Sequence, residues 1–278
     1  MLSTKCAKKP ILNRFAEKII LVTGGTNGIG EGIVKRFHAE GGIICFTGRN
    51  KEKGEKIMEE LNEIKSESCL FISCDHSKEE ENKRVVEEVC KKYKTIDVLI
   101  NNAGKVVVAS FEETDYEQYK DIMRNNVDSV WNMCSYVIPV MLEKNKKRGG
   151  VVVNIASDWG LTPSAKAPAY CMSKSAVISL SKSLALQYAK RDIRVLAVCP
   201  GNTFVERWKK EARESGEFPE SLFGEKALEE ALRVDTEIPM GRVGEVEEVA
   251  GVVAFVCSED ASYMTGCCVS VDGGSACK

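Results

Sequence analysis

Histidine is scarce in this sequence, and neither charge is in surplus. Only two of the 278 residues are histidines, His38 and His76, so we predict no histidine-based metal site. The 39 Lys and Arg residues nearly balance the 41 Asp and Glu residues, which gives a formal net charge of −2. Because no long run of one charge occurs either, a nucleic-acid surface is not predicted.

Long apolar runs are also absent. No run approaches the ~20 residues that cross a bilayer, so no membrane span is predicted. The N-terminal segment MLSTKCAKKP contains lysines, but no apolar stretch of signal-peptide length follows it. We expect residues 1–17 to form an N-terminal extension, and a targeting role for it stays open.

Disulfide-type cysteine spacing is missing too, although the chain has twelve cysteines. They are scattered through apolar segments such as IICF, LFISCD and LAVCPG, and no Cys-x-x-Cys occurs. Buried free thiols in a reducing compartment account for this pattern better than a disulfide framework does. The sequence therefore predicts a cytoplasmic protein.

The sequence does contain a regular alternation of short β-branched runs and longer amphipathic segments. Such alternation is typical of a parallel sheet covered by helices on both faces. We predict one α/β domain over residues 18–278, a doubly wound Rossmann-type fold with a seven-stranded parallel sheet flanked by helices. The rhythm fails at about residues 204–240, where charged and aromatic residues mix, and we expect a substrate-binding lid there. The predicted strands lie in KIILVTG, GIICFTG, CLFISCD, IDVLINN, GVVVNIAS, IRVLAVCP and CCVSVDG.

A glycine-rich turn, TGGTNGIG at residues 23–30, follows the first predicted strand and leads into a helix. Glycines let the backbone approach a pyrophosphate, and the helix N-terminus supplies amide donors and a positive dipole end. A purely steric turn is the alternative, but the position directly after the first strand favours a dinucleotide site. The predicted cofactor contacts here are Gly24, Thr26, Asn27, Gly28, Ile29 and Gly30.

The second predicted strand ends at Arg49 with no carboxylate at its tip. A carboxylate near this point would bind the ribose hydroxyls of NAD, whereas the guanidinium of Arg49 suits the 2′-phosphate of NADP. We predict that NADP(H) is preferred and NAD(H) possible; an ordinary exposed arginine is the alternative. At the end of the third strand, Asp75 in CDHS would accept a hydrogen bond from the adenine amino group. Further cofactor contacts are predicted at Asn50, His76, Asn102, Ala103 and Gly104.

Two tyrosines are each followed four residues later by a lysine. Tyr170 and Lys174 lie in PAYCMSKSA, and Tyr116 and Lys120 lie in DYEQYKD. Residues four apart are neighbours on a helix, so an ammonium in an apolar pocket would lower the tyrosine pKa. A drop of ~3 units needs roughly 4 kcal/mol and would make the tyrosine a general acid and base near neutral pH. The alternative, a solvated helix face, suits the acidic surroundings of Tyr116.

These motifs stand in the order found in the short-chain dehydrogenase/reductase family, which the sequence resembles over nearly its whole length. The matching segments are TGGTNGIG, CDHS, NNAG, RNNVDSVW, NIASDWG, YCMSK, PG and VDGG. Within the family, the chain is most similar to 3-oxoacyl-thioester reductases and soluble 17β-hydroxysteroid dehydrogenases. The resemblance implies a catalytic serine thirteen residues before the tyrosine. Ser157 has this place before Tyr170, whereas Ala103 has it before Tyr116.

The resemblance also implies a role for each candidate catalytic residue. Tyr170 would donate a proton to the carbonyl oxygen during hydride transfer and accept it in the reverse direction. Lys174 would lower the pKa of Tyr170 and bind the nicotinamide ribose. Ser157 would hydrogen-bond to the substrate oxygen. Asn126 would hold a water that links the lysine to solvent, although the neighbouring Asn125 leaves this choice open.

In the same comparison, Pro200, Gly201 and Thr203 would orient the nicotinamide. Two features depart from the family pattern. Many NADP-dependent relatives have a basic residue where this chain has Asn27, so the glycine-rich turn itself does not support NADP. The family often has a threonine near the position of Val205, and Thr203 is expected to substitute for it.

The sequence thus predicts an enzyme, an NADP(H)-dependent oxidoreductase. It would transfer hydride between nicotinamide and a carbonyl or secondary alcohol on a lipophilic substrate of steroid, retinoid or fatty-chain type. Trp159, Phe204 and Trp208 are the predicted substrate contacts. The alternatives are an NAD-dependent alcohol or hydroxysteroid dehydrogenase, a 3-oxoacyl-thioester reductase, and a nucleotide-binding redox sensor without turnover. The resemblance implies a homodimer or homotetramer that pairs through the fourth and fifth helices and the last strand.

Overall fold

The centre of the protein is a sheet with strands β1 (Ile19–Val22), β2 (Ile43–Gly48), β3 (Cys69–Ser73), β4 (Val98–Asn101), β5 (Gly150–Ile155), β6 (Ile193–Pro200) and β7 (Cys268–Val271). The computed structural model describes residues 10–145, 149–206, 208 and 233–277. The strands lie in the order β3-β2-β1-β4-β5-β6-β7, all parallel. Each predicted run contains one strand, so the doubly wound fold with seven parallel strands is confirmed. The strand order reverses between β1 and β4, where open α/β sheets bind ligands.

Helices cover both faces of the sheet. The main described helices are α1 (Gly28–Ala39), α2 (Lys51–Ile64), α3 (Glu79–Tyr93), α4 (Tyr116–Met123), α5 (Ser129–Lys144), α6 (Pro168–Tyr188) and α7 (Val246–Cys257). One buried cluster joins α1, α2 and α7 to the sheet through Phe37, Leu61 and Val253. The other joins α5 and α6 to the opposite face through Val137 and Val177. Burial on both faces explains why the strands are apolar at nearly every position.

The predicted N-terminal extension, residues 1–17, is part of the domain where the structure describes it. The ring of Phe15 is 2% exposed and lies 4.5 Å from the ring of Phe37. The guanidinium of Arg14 is 2.6 Å from the buried carboxylate of Glu40. Residues 10–17 are therefore held by core packing and an ion pair, while residues 1–9 lie outside the described residues.

The helical pattern at residues 116–144 predicts one continuous helix, but the structure interrupts it. A π turn, Arg124–Asp128, separates α4 from α5, and the amide of Ser129 donates to the carbonyl five residues earlier. A π turn inserts one extra residue into a helix without ending it, and such turns are frequent at functional sites. Apolar periodicity does not reveal an insertion of one residue, because helical repeats continue on both sides of it.

The two neighbouring asparagines of the π turn make different contacts. Asn126 is fully buried, and its Oδ1 accepts a hydrogen bond from the amide of Lys105 at 2.7 Å. Its Nδ2 donates to the carbonyl of Lys105 at 3.0 Å. Asn125 instead donates back to the carbonyl of Asp121 at 2.8 Å. Only Asn126 thus faces the loop that follows β4.

The cysteines of the described residues are free thiols. Eleven of the twelve lie there, and Cys6 lies outside. Burial raises the pKa of Cys69 and of Cys134 to about 12, so both stay protonated at neutral pH. No helix in the described ranges is long and apolar enough to cross a bilayer.

Candidate active site

The predicted site residues follow the carboxyl ends of neighbouring strands. The glycine-rich turn follows β1, the NNAG segment follows β4, Ser157 follows β5 and Gly201 follows β6. In a parallel sheet these ends lie along one edge. The residues that the sequence assigned to the cofactor and to catalysis therefore follow strand ends at one edge of the sheet, on both sides of the point where the strand order reverses.

Close backbone packing fixes the glycine-rich turn. A Cβ on Gly30 would lie 2.1 Å from the carbonyl oxygen of Gly24 and 2.4 Å from Nδ2 of Asn102. Asn102 Nδ2 donates to the carbonyls of Gly24 and Thr23, both at 3.0 Å. Asn102 was predicted as a cofactor contact, and the structure shows that its side chain clamps the turn. Thr23 was not predicted; its Oγ1 accepts from the amides of Asn102 and Ala103 at 3.0 and 2.9 Å.

The start of α1 fits a phosphate group. The helix begins at Gly28, and the N-cap residue Asn27 makes no side-chain hydrogen bond to the first turn. The first amides of a helix have no partner within it, so they can donate to an anion. A Cβ on Gly28 would lie 3.0 Å from Cγ1 of Val205, and its φ of +51° also favours glycine. The turn therefore fits the pyrophosphate of a dinucleotide.

The ends of β2 and β3 carry the residues predicted to bind the adenosine half. Arg49 is exposed and makes no ion pair with any part of the chain that the structure describes. Asn50 caps α2, because its Oδ1 accepts from the amide of Lys53 at 2.9 Å. The pKa of Asp75 is lowered: burial opposes the shift, but hydrogen bonds from Ser77 and the charge of Arg49 outweigh it. This edge thus presents a cation beside a carboxylate that stays ionised.

Two neighbouring predicted contacts are buried beneath that edge. His76 is 7% exposed, and its ring is hydrogen-bonded to Oγ1 of Thr47 at 2.6 Å and to the side chain of Asn82. Burial is the main reason that the pKa of His76 is lowered. Thr26 is 5% exposed and packs where a Cβ on Gly48 would lie. Both side chains therefore pack inside the protein, where they support this edge of the sheet.

Tyr170 and Lys174 lie in the first two turns of α6 and are almost fully buried, at 7% and 6% exposure. Lys174 Nζ lies 5.9 Å from the centroid of the Tyr170 ring and donates to the carbonyl of Ile155 at 2.9 Å. Burial lowers the pKa of Lys174 to about 8. The ammonium is therefore still charged at neutral pH, in surroundings where its field is poorly screened.

The second tyrosine–lysine pair has the same spacing but a different environment. Tyr116 is 70% exposed, and Lys120 makes an ion pair with Glu117 at 2.5 Å. Water and the carboxylate both weaken the effect of this ammonium on the phenol. This pair forms the solvated helix face that the alternative interpretation described.

Ser157 lies two residues before Trp159, whose indole contacts the ring of Tyr170. Its Oγ donates to Oδ1 of Asp158 at 2.9 Å and accepts from the amide of Trp159 at 3.2 Å. The indole of Trp159 meets the ring of Tyr170 edge-on, with 6.2 Å between the centroids. Asp158 was not predicted, although its position next to the serine was visible in NIASDWG. Serine, tyrosine and an aromatic wall thus share one edge of the sheet.

Asn126 and Lys174 approach each other on the other side of the site. A Cβ on Gly104 would lie 3.1 Å from Oδ1 of Asn126 and 3.5 Å from Nζ of Lys174. Asn126 Nδ2 also donates to Oγ of Ser173, the residue directly before the lysine, at 3.0 Å. Glycine at position 104 therefore leaves room between the two polar groups. Ser173 was missed, because a serine inside a helix has no distinctive sequence signal.

The residues after β6 form a small core of their own. The hydroxyl of Thr203 donates to the carbonyl of Gly201 at 3.0 Å, so it braces the turn after Pro200. Phe204 is 5% exposed and clusters with Ile238, Val243 and the partly buried Trp208. Phe204 therefore packs inside the start of the predicted lid, whereas Trp159 contacts Tyr170. Residues 207 and 209–232 of that lid lie outside the described residues.

Comparison with known proteins identifies the family of this chain. The family model for short chain dehydrogenases matches residues 18–215. A 3-oxoacyl-[acyl-carrier-protein] reductase of Chlamydia trachomatis is 33% identical, over 94% of this chain and 98% of the relative. A 3beta-hydroxysteroid dehydrogenase of Mediterraneibacter gnavus is 31% identical, over 95% of this chain and 96% of the relative.

A solved structure extends the likeness to the whole fold. The L-sorbose reductase of Gluconobacter frateurii, in complex with NADPH and L-sorbose, has a TM-score of 0.88 and 27% identity. The match covers 96% of this chain and 100% of that one. The chain therefore belongs to the short chain dehydrogenase family, oxidoreductases that act on alcohol and carbonyl groups with NAD or NADP.

Proposed function

We propose that this protein interconverts a carbonyl and a secondary alcohol on a lipophilic substrate, with NADP(H) as the preferred cofactor and Tyr170 as general acid and base. The observation that carries the proposal is the buried ammonium of Lys174, 5.9 Å from the Tyr170 ring. A cation in an apolar environment favours the ionised form of a neighbouring phenol. The same phenol then donates a proton during reduction and accepts one during oxidation.

The other side chains of the site complete this assignment. Ser157 would hydrogen-bond to the substrate oxygen as negative charge develops, a contribution that is large in a site shielded from water. Lys174 would bind the nicotinamide ribose. Asn126 would hold a water toward the lysine; its Oδ1 and Nζ of Lys174 lie 3.1 and 3.5 Å from a Cβ position on Gly104. The bound cofactor supplies the hydride, and these residues supply orientation and the proton.

The preference for NADP(H) is tested by replacing Arg49 with alanine. We expect NADPH affinity to fall by about 10- to 100-fold, because a charge-assisted hydrogen bond to the 2′-phosphate is lost. NADH affinity should change less than twofold, since NADH has no phosphate there. Fluorescence titration of both cofactors measures the two affinities. The control is Arg191→Ala, which removes an exposed arginine in the short turn after α6. Equal NADH and NADPH binding in the wild type would favour the NAD-dependent alternative.

The lipophilic substrate is supported by Trp159, which contacts Tyr170, and by Leu161, which is 38% exposed two residues later. Each methylene buried on binding contributes about 0.8 kcal/mol, so four additional methylenes should raise kcat/KM by roughly 200-fold. A series of 2-ketones of increasing length, with steroid ketones and sugars in parallel, measures this slope. Turnover of small polar sugars alone would remove the lipophilic class.

One alternative within the family is favoured by a specific likeness, that to the 3-oxoacyl-[acyl-carrier-protein] reductase. Adding 3-oxoacyl thioesters to the same substrate series distinguishes this alternative from a ketone reductase, because only a 3-oxoacyl-thioester reductase should convert them preferentially. A redox sensor without turnover would convert none of these substrates. Assembly as a homodimer or homotetramer stays a prediction, which light scattering can test. A cytoplasmic location also stays a prediction.

A further inference from the structure

A lysine from helix α2 contacts the glycine-rich turn. Lys53 lies in the first turn of α2, and its Nζ donates to Oδ1 of Asn27 at 2.7 Å. Its side chain is 40% exposed, so the ammonium borders the turn and remains open to solvent. We infer that Lys53 is a second cation of the site for the 2′-phosphate, and hence a determinant of cofactor specificity. This inference rests on the proposed NADP(H) function.

The neighbouring carboxylate does not cancel this charge. Glu31 Oε2 lies 2.9 Å from Nζ of Lys53, and its Oε1 lies 2.6 Å from Nζ of Lys35. The pKa of Glu31 is lowered: burial opposes the shift, but hydrogen bonds from Lys35 and then Lys53 outweigh it. Two ammonium groups thus share one ionised carboxylate, so Glu31 neutralises only one of the two. The ion pair with Glu31 also holds Lys53 against the turn.

Arg49 and Lys53 lie on either side of Asn50, the N-cap residue of α2. Arg49 directly follows β2, and Asn50 anchors the start of α2 by accepting from the amide of Lys53 at 2.9 Å. The N-terminal end of α2 adds a favourable potential for an anion. A guanidinium binds two phosphate oxygens as a fork, while an ammonium acts as a point charge on a third. The hydrogen bond to Asn27 holds the ammonium of Lys53 next to the glycine-rich turn.

Because only NADP(H) has the 2′-phosphate, removal of Lys53 should affect the two cofactors differently. In Lys53→Gln we expect NADPH affinity to fall roughly tenfold at low salt, with NADH affinity within twofold of the wild type. The NADPH effect should shrink as ionic strength rises, because the ammonium is partly exposed and salt screens it. Lys53→Arg keeps the charge and should retain most of the NADPH affinity.

The experiment is fluorescence titration of NADPH and NADH at two salt concentrations, with displacement by adenosine 2′,5′-bisphosphate. It compares the wild type, Lys53→Gln, Lys53→Arg and Arg49→Ala with Lys56→Gln, which removes an exposed lysine one turn later on α2. A selective loss of NADPH and bisphosphate binding in Lys53→Gln, but not in Lys56→Gln, is the expected result. If Arg49→Ala loses NADPH selectively and Lys53→Gln does not, the inference about Lys53 is overturned alone. A wild type without NADPH preference overturns it together with the proposed cofactor.

Discussion

Replacing Tyr170 with phenylalanine should lower kcat/KM for carbonyl reduction by about 10²- to 10⁴-fold, the range of general acid catalysis. The substitution removes one oxygen and leaves the ring, which packs edge-on against Trp159 at 6.2 Å. The fold and the glycine-rich turn should therefore be unchanged in the variant. Steady-state kinetics measures the loss, and fluorescence titration should show NADPH affinity within a few-fold of the wild type.

The chain supplies its own control for this substitution. Tyr116→Phe alters the tyrosine of the second pair, which has the same spacing to Lys120 but is 70% exposed. We expect unchanged turnover in Tyr116→Phe, because an exposed phenol beside a screened ammonium has no catalytic surroundings. Two results would contradict the assignment: a Tyr170→Phe enzyme with more than a tenth of wild-type activity, or equal losses in both variants.

The fold was predictable because its strands are buried on both faces. Each apolar run is bounded by Gly, Asn or charged residues, and the alternation with amphipathic helices leaves few topologies. The preference for Tyr170 over Tyr116 came from the family resemblance, which implies a serine thirteen residues before the tyrosine, the place of Ser157. Both signals lie within short segments of sequence, so they could be recognised without knowing the folded structure.

Contacts between distant segments were not predictable in the same way. The clamp of Asn102 on Gly24 joins residues 78 positions apart, and the hydrogen bond of Lys53 to Asn27 spans 26. The inward turn of Asn126 depends on one residue inserted into a helix. None of these contacts alters composition or periodicity, so only the folded arrangement shows which polar groups meet.

The buried charge of Lys174 leads to the second large expected effect. Its pKa is lowered by burial from 10.5 to about 8. One pKa unit corresponds to about 1.4 kcal/mol, so holding this ammonium in the fold costs roughly 3 kcal/mol at neutral pH. The hydrogen bond that this ammonium donates to the carbonyl of Ile155 is charge-assisted and offsets about 1.5–3 kcal/mol of that cost. The charge therefore adds little or nothing to the stability of the fold.

Lys174→Met should accordingly lose activity without losing stability. We expect kcat/KM to fall by about 10²- to 10⁴-fold, since the phenol of Tyr170 loses the cation that favours its ionised form. The free energy of unfolding at pH 7 should be equal to or higher than that of the wild type, because the desolvated charge is gone. Kinetics and denaturant titration measure the two quantities, and Lys120→Met, on the exposed pair, should change neither.

The pH dependence of stability shows whether Lys174 acts through its buried charge or only through the packing of its side chain. In the unfolded chain Lys174 stays protonated up to about pH 10, whereas in the fold it loses its proton near pH 8. Between these values the unfolded state binds more protons, so this residue makes the wild type more stable as the pH rises. Lys174→Met should lack that gain, and its stability relative to the wild type should decline from pH 8 to pH 10. An inactive variant that is also less stable at pH 7, with a pH profile parallel to the wild type, would mean that Lys174 acts by packing.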